Sequence, residues 1–344
     1  MVSVSDDKQI IIWDILSGHK IRSIIGCHSN AISAVIVYVP PHEKNNDFVM
    51  VSCSKDKSNN VVLWNFSSTR SAQVIRECDA VTALVVYDPK DNINNPISIV
   101  VDISGEINIW DIATVKLLGC LDGHKNRING VAVTPVVMND DSKRDPNSYQ
   151  LYIATCDGSC IVYLRQVRVC LGEVEEINFM SFQLKYFFLS IGFLSIPSSD
   201  GGSVLYLVKG GGPDHRNTPT QLWKLEYLLS YFGSKETIKE KDMLEPKVLL
   251  KDHTHSVRCI VPYSISNSTD KHVYMLTGSY DKTAILWSFT TDEFSNILAK
   301  KLHTLKKHED PVFTITVYDP PPIVKKFLPH PLIVTGSFDN KGIH

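Results

Sequence analysis

The segment Leu276-Thr277-Gly278-Ser279-Tyr280-Asp281, followed by Ala284-Ile285-Leu286-Trp287-Ser288, is the part of this sequence that decides the fold. Two short apolar runs are joined by a polar turn that contains an aspartate, and an aromatic residue lies near the end of the second run. This arrangement is typical of a β-hairpin. The same pattern occurs at residues 2–14 and 51–65, so the chain contains a structural repeat.

A strand-like segment accompanies each of these hairpins. Residues 31–40, 80–89 and 311–320 resemble one another closely, and residues 127–135 and 256–263 are weaker copies. Each segment is rich in β-branched residues and ends in residues that favour turns, which indicates a buried strand. The aromatic residues that close the repeats are Trp13, Trp64, Trp110, Tyr163, Trp223 and Trp287. No helix-length segment interrupts this series, so architectures that alternate strands with helices are excluded.

These residues resemble the WD-repeat β-propeller family. That family's repeat runs from a Gly-His pair, through two strands and an aspartate turn, to a Trp-Asp pair, in about 40 to 45 residues. Gly123-His124 matches the first pair, and Trp13-Asp14 and Trp110-Asp111 match the closing pair. His28, His253 and His308 take the histidine position without the preceding glycine. The resemblance covers nearly the whole chain and implies an all-β propeller.

The resemblance implies one propeller domain over residues 1–344. Counting the repeats gives seven blades with an incomplete first and last blade, or six if residues 311–319 complete the first. The chain starts at the second strand of a repeat, and the spacing after Asp339 would put the last tryptophan at position 345. We therefore expect this sequence to be a fragment. The strands expected for the fifth blade are residues 177–182, 204–209, 221–226 and 247–250.

The resemblance also implies a hydrogen-bond tetrad of His, Ser or Thr, Asp and Trp inside a blade. The best copies are His253, Thr277, Asp281 and Trp287, and His28, Ser52, Asp56 and Trp64. A buried indole N–H, a hydroxyl and an imidazole satisfy one another when they are placed in series. The same residue types could form a nucleophilic triad, but their recurrence in several repeats favours a structural role over catalysis.

Composition and motifs argue against nucleic-acid binding, a membrane span, secretion, and a bound cofactor or metal. Thirty-five basic and 37 acidic residues give a formal net charge of -2, so no global field favours nucleic acid. The most apolar later segment, residues 186–196, is about half of the ~20 residues that span a bilayer. The N-terminus does not resemble a signal peptide, and the eight cysteines lie mostly in apolar runs, so we expect an intracellular protein, cytoplasmic or nuclear. The glycine-rich segments match no nucleotide-binding motif and no Cys or His pair has zinc-site spacing, so no cofactor or metal is expected.

The leading functional hypothesis is a non-enzymatic scaffold or adaptor that binds proteins or peptides within a larger complex. The resemblance implies docking at the top face, which is formed by the loops that enter first strands and by the turns between second and third strands. The candidate residues there are Lys55, Asn126, Arg127, Arg258, Tyr280 and Phe338. Tyr280 and Phe338 immediately precede turn aspartates, so we expect both rings to be exposed. Aromatic residues and arginine are the usual anchors of interfaces, although each position could also be an ordinary turn residue.

Three alternatives remain at the level of sequence. An enzyme that uses the central channel would need acidic, histidine or metal-binding residues from several blades, whereas the inner strands carry Ala, Val, Ile, Thr and Tyr. A ubiquitin-ligase substrate receptor often carries Trp-Asp-x-Arg, but Leu16 and Ala113 stand at the arginine position. The bottom face is a second candidate docking surface because polar insertions are concentrated there. These insertions are residues 40–47, 89–96, 135–150, 264–271 and 319–329.

Overall fold

A computed structural model describes most of the chain. The described residues are 1–38, 49–55, 61–65, 73–75, 80–89, 93–136, 145, 147–170, 172–198, 201–213, 219–234, 236–243, 245–264, 272–292, 296–320, 325, 330–339 and 342–343. Asp56 lies outside the described residues, as do most of the polar insertions.

The described residues fold almost entirely as β-strands. The strands are β1 Val2–Val4, β2 Ile10–Trp13, β3 Lys20–Ile24, β4 Ile32–Tyr38, β5 Val49–Ser54, β6 Val61–Asn65, β7 Gln73–Ile75, β8 Val81–Tyr87, β9 Ile97–Asp102, β10 Ile107–Asp111, β11 Lys116–Leu121, β12 Ile128–Pro135, β13 Ser148–Asp157, β14 Ile161–Cys170, β15 Glu173–Gln183, β16 Ile191–Pro197, β17 Ser203–Lys209, β18 Thr220–Lys224, β19 Ile238–Lys239, β20 Val248–Leu250, β21 Val257–Tyr263, β22 Val273–Ser279, β23 Ala284–Thr291, β24 Ile297–Leu305, β25 Val312–Tyr318, β26 Leu332–Ser337 and β27 Gly342–Ile343. One short helix, α1 Leu225–Leu229, and a single 3₁₀ turn, Glu240–Asp242, are the helical elements of the described residues. The all-β prediction is confirmed.

Neighbours in the sequence pair into meandering sheets. The sheet orders within the described residues are β1-β2-β3, β4-β5-β6-β7, β11-β10-β9-β8, β12-β13-β14-β15-β19, β16-β17-β18-β20, β21-β22-β23-β24 and β25-β26-β27. The pairings are antiparallel except for a two-residue parallel contact between β15 and β19. This organisation is consistent with a WD-type β-propeller. The number of blades and the single-domain organisation stay predictions.

The chain divides into two compact units. The first comprises residues 1–157 and 163–179, and the second comprises residues 158–162 and 180–344. In the first unit, one apolar cluster joins β9 and β10 to β5 and β6, and another joins them to β12 and β13. The sheet that contains β9 and β10 is therefore packed on both faces, which explains why every residue of these two strands is buried.

The strand expected to open the fifth blade was wrongly placed. Residues 177–182 belong to β15, which pairs in the five-stranded sheet, whereas β16 is the strand beside β17. The first half of β15 is largely exposed, as in an outer strand, while β16 is buried along most of its length. Both segments are apolar enough to form inner strands, so only their packing distinguishes them.

Candidate functional site

His253, Thr277, Asp281 and Trp287 lie together at the end of the sheet β21-β22-β23-β24. Thr277 Oγ1 is 2.8 Å from His253 Nε2 and accepts a hydrogen bond of 2.9 Å from Trp287 Nε1. The other imidazole nitrogen, His253 Nδ1, is 2.8 Å from Asp281 Oδ2. The four side chains form one continuous chain of polar contacts, which we call the His253 tetrad.

Asp281 organises the turn between β22 and β23 as well as the tetrad. Its Oδ2 atom also accepts from the backbone N–H of Thr254 at 2.8 Å, and its Oδ1 atom accepts from Thr283 N at 3.0 Å and from Thr283 Oγ1 at 2.6 Å. Burial alone would raise the pKa of Asp281, but the hydrogen bond and charge of His253, together with the other donors, lower this pKa far below its usual range. The carboxylate is therefore held in its charged form.

The second expected tetrad is described in three of its four members. His28 Nε2 is 2.8 Å from Ser52 Oγ, and Trp64 Nε1 donates to the same hydroxyl at 2.9 Å. Asp56, its expected fourth member, lies outside the described residues. The order of contacts from imidazole to hydroxyl to indole is the same as in the His253 tetrad.

The register of the hairpin explains why the hydroxyl meets the indole. Trp287 lies opposite Met275 and Trp64 lies opposite Met50, so the hydroxyl belongs to the residue two positions further along the facing strand. These diagonal neighbours share one face of the sheet and are within reach of a large side chain. Trp13 follows the same geometry with Ser3, at 2.7 Å.

Two further histidine relays were missed as complete sets at the level of sequence. His308 contacts Thr335 Oγ1 at 2.8 Å and Asp339 Oδ2 at 2.9 Å. Asp339 follows Thr335 by four residues, as Asp281 follows Thr277, so this signal was already present in the sequence.

The relay of His124 differs from the others. His124 Nε2 is 2.8 Å from Thr155 Oγ1, and Nδ1 lies 3.1 Å from Asp157, only two residues after the threonine. Tyr163 replaces the tryptophan and stacks on the imidazole, with ring centroids 4.0 Å apart. Burial lowers the pKa of His124, although the contact with Asp157 opposes this change. The shorter spacing explains why the sequence pattern did not reveal the set.

The relays are unsuited to nucleophilic catalysis. The hydroxyl-bearing residues Ser52, Thr155 and Thr277 each have 0% exposure. In two of the three cases the hydroxyl oxygen already accepts an indole N–H. A nucleophile must reach a substrate, so these buried groups serve to satisfy one another and to fix the turns.

Four aromatic side chains contact one another at the turn end of the neighbouring sheets β21–β24 and β25–β27. The ring centroids of His255 and Tyr280 are 5.6 Å apart, those of Tyr280 and Phe313 are 5.4 Å apart, and those of Phe313 and Phe338 are 4.0 Å apart. We call these four residues the aromatic row. Phe338 is 59% exposed and His255 is also exposed, while Tyr280 and Phe313 are half-buried. Tyr280 and Phe338 are thus linked through Phe313, which the sequence analysis did not single out.

Phe313 and Arg258 both occupy β-bulges at the start of an inner strand. The register shifts between Val257 and Cys259 in β21, and between Val312 and Thr314 in β25. The residue at a bulge is left out of the regular ladder, and its side chain is re-aimed. Arg258 is half-buried there, beside the turn that carries Tyr280. The remaining predicted docking residues, Lys55, Asn126 and Arg127, are exposed and belong to the first unit.

Comparison with known families identifies one repeat directly. Residues 244–288 match the family model described as WD domain, G-beta repeat. This segment is a WD repeat. The matched segment contains all four members of the His253 tetrad, together with His255, Arg258 and Tyr280. A search of curated proteins finds no match to the chain.

The presence of a WD repeat indicates a general class of function. WD40 repeats generally mediate protein–protein interactions, and WD40-repeat proteins are typically non-enzymatic scaffolds. Within the described part of the chain, no three His, Cys, Asp or Glu side chains are grouped so that they could hold a metal ion. No described helix has the length and apolar character needed to cross a membrane.

Lys209 is an unusual polar residue in the second unit. Trp223 lies opposite Leu207, so Lys209 stands at the position that holds Ser52 in the Trp64 hairpin and Thr277 in the Trp287 hairpin. Lys209 is 2% exposed, its Nζ atom donates to Gln221 Oε1 at 3.1 Å, and it lies 5.3 Å from the centre of the Phe188 ring. Burial lowers the pKa of Lys209 to about 8, although the negative charge of Glu240 opposes this change. The tetrad arrangement is therefore replaced in this sheet by a buried amine.

Proposed function

We propose that this WD-repeat protein is a non-enzymatic scaffold that binds a protein or peptide through the aromatic row, with Arg258 as a polar anchor. The contact of four aromatic rings at an exposed turn end is the observation that carries this proposal. Large rings with an apolar face and a polar edge dominate the energetics of interfaces. The chain requires no such rings to close its turns, since the equivalent position before the turn aspartate is Asp6 in the first repeat.

A departure from the packing of the first unit supports the same surface. At the bulge of β4, Ser33 Oγ donates to the carbonyl of Val81 at 2.9 Å, and at the bulge of β8, Thr82 Oγ1 donates to the carbonyl of Ile128 at 2.6 Å. These hydroxyls join the first strands of adjacent sheets. Arg258 and Phe313 occupy the corresponding bulges of β21 and β25, where no such bond is present among the described residues. The bulge of β12, at Asn129, also has no such bond among the described residues.

The side chains of Arg258 and Phe313 do not join neighbouring strands in this way, so they are available for another role. Sequences that depart from a local structural rule do so most often at functional sites. At β25 the substituted residue joins the aromatic row, and at β21 it supplies a guanidinium that can form charge-assisted hydrogen bonds. The two departures therefore favour recognition of a partner at this end of the second unit.

Selection of peptides from a displayed random library tests the proposal. Binding of the selected peptides is measured by fluorescence anisotropy for the unmodified chain and for Arg258→Ala, Tyr280→Ala, Phe313→Ala and Phe338→Ala. Truncation of an interface anchor costs about 2 kcal/mol, so we expect about a 30-fold loss of affinity for the aromatic variants. Leu298→Ala is the matched control, because Leu298 is a large apolar residue of the same unit with 54% exposure. Equal affinities for Leu298→Ala and the aromatic variants would exclude this surface.

A further inference from the structure

The rings of the aromatic row are arranged in single file and are not coplanar. Successive ring planes are inclined by 39° between His255 and Tyr280, by 68° between Tyr280 and Phe313, and by 42° between Phe313 and Phe338. Rings inclined to one another in this way do not form one flat surface. A narrow, ridged ligand fits such a row better than a broad one.

The length of the row is within one turn of a polyproline II helix. Two centroid steps, of 5.4 Å and 4.0 Å, lead from Tyr280 through Phe313 to Phe338. The outer rings are therefore at most about 9 Å apart, and three residues of polyproline II, at about 3.1 Å each, also span about 9 Å. Prolines at positions i and i+3 of such a ligand would meet Tyr280 and Phe338.

The polar edge of the row supplies what this kind of ligand needs. Polyproline II has no internal hydrogen bonds, so the carbonyl groups of the ligand require donors from the protein. His255 Nδ1 accepts the backbone N–H of Ser256 at 2.8 Å, so the neutral imidazole carries its proton on Nε2. His255 is exposed, and this proton is available to a ligand. The hydroxyl of Tyr280 is a second donor of the row.

Charge beside the row favours acidic residues at the ends of the ligand. Within seven residues of a member of the row, the basic residues are Lys251, Arg258, Lys282, Lys306, Lys307 and Lys341, and the acidic ones are Asp252, Asp281, Glu309, Asp310, Asp319 and Asp339. Lys282 lies next to the tetrad turn, and its Nζ atom reaches the backbone carbonyl of Glu309. The turn aspartates Asp281 and Asp339 are already engaged by His253 and His308. Asp252 is paired with Lys301, and Asp319 is paired with Lys325. The charged groups that remain beside the row are mostly basic, which complements carboxylates.

We propose that the aromatic row binds a proline-rich segment of a partner protein in the polyproline II conformation, flanked by acidic residues. This proposal rests on the binding function proposed above and specifies its ligand. Aromatic-lined surfaces are the general means by which proteins recognise this conformation. An amphipathic helix presents residues at i, i+3, i+4 and i+7 and needs a broader groove than one row of rings. A methylated lysine needs rings that enclose it, which a single file does not provide.

The test uses two fluorescein-labelled peptides with the complete chain. One contains six consecutive prolines between pairs of aspartates, and the other has the prolines replaced by alanines. We expect the alanine peptide to bind at least about tenfold more weakly, because it must lose conformational entropy that the proline peptide has already lost. Phe338→Ala should weaken binding of the proline peptide by a similar factor, and Leu298→Ala should change it less than twofold. Similar affinities for both peptides, or no effect of Phe338→Ala, would overturn the proposal.

A further variant and the displayed-peptide selection help to interpret the peptide-binding measurements. Phe313→Leu removes the ring but retains apolar volume at this half-buried position. If this variant keeps the melting temperature of the unmodified chain and binds the proline peptide more weakly, the rings themselves recognise the ligand. The displayed-peptide selection separates this proposal from the proposed function. Selected peptides without proline that still depend on Phe338 would refute the proline-rich ligand and retain the binding surface. Absence of any peptide that depends on the row would refute both.

Discussion

Replacement of Asp281 by alanine tests whether the tetrad holds the sheet β21-β22-β23-β24 together. The carboxylate accepts four hydrogen bonds, from His253 Nδ1, Thr254 N, Thr283 N and Thr283 Oγ1. Thr254 is exposed, so water can replace its bond, whereas His253 is 6% exposed and Thr283 is half-buried. Three poorly hydrated donors, one on His253 and two on Thr283, at about 1 kcal/mol each give an expected loss of about 3 kcal/mol in the free energy of unfolding.

The loss of unfolding free energy caused by Asp281→Ala should become smaller as the pH falls. The pKa of Asp281 is lowered in the folded chain by His253 and the other donors, against the effect of burial. A lowered pKa contributes stability above the pKa of the unfolded carboxyl, about 3.9, and this contribution declines as the pH falls below that value. The difference between the unmodified chain and Asp281→Ala should therefore be complete at pH 7 and become smaller below about pH 4.

Urea unfolding followed by tryptophan fluorescence measures both quantities. Asp7→Ala is the matched control, because Asp7 occupies the same turn position in the first repeat and Lys8 and Lys282 share a positive φ, 68° and 70°. Asp7 is exposed, and among the described residues its Oδ1 atom accepts a single, local hydrogen bond, from Gln9 N at 3.0 Å. We expect a change within about 0.5 kcal/mol for this control. Equal losses at the two positions would refute the role given to the tetrad.

Two further predictions concern buried polar groups. Lys209→Met should stabilise the chain at pH 7 by about 1–3 kcal/mol, since burial lowers the pKa of Lys209 to about 8. The unfolded chain binds this proton up to about pH 10.4, so the stability of the unmodified chain should rise between about pH 8 and 10, and the advantage of methionine should diminish over that interval. Urea unfolding of both proteins at pH 7 and pH 10 measures the two differences in stability. If Lys209→Met were no more stable than the unmodified chain at pH 7, the prediction would be wrong. Trp110 Nε1 is buried without a hydrogen-bond partner among the described residues, because Val100 stands at the hydroxyl position. A threonine at position 100 would accept this indole N–H, whereas a threonine at position 101 would not. Thermal unfolding should therefore show that Val100→Thr lowers the stability by at least about 1 kcal/mol less than Val101→Thr does. The opposite order would argue that the hydroxyl partner of the indole does not lie two positions beyond the residue that faces the tryptophan.

Much of the local structure was accessible from sequence because it depends on neighbours in the chain. Alternating apolar residues and an aspartate turn are sufficient to specify each hairpin, and the fixed spacing from Thr277 to Asp281 and Trp287 places these side chains on one sheet. The fold class followed from repetition of this local unit. The relay of His124 was less accessible, because Asp157 and Tyr163 depart from the residue types and spacing of the other repeats.

Sequence by itself determined the repeat, the all-β class and the turn chemistry, since each arises from contacts within about 15 to 30 residues. Only the tertiary structure decided that β16 and not residues 177–182 lies beside β17, because both segments have strand-like composition and the choice depends on which one becomes buried. It likewise brought Phe313 between Tyr280 and Phe338, which lie 58 residues apart in the chain. Contacts between sheets depend on the packing of whole strands and on the bulges that re-aim single side chains, and no local pattern encodes that geometry.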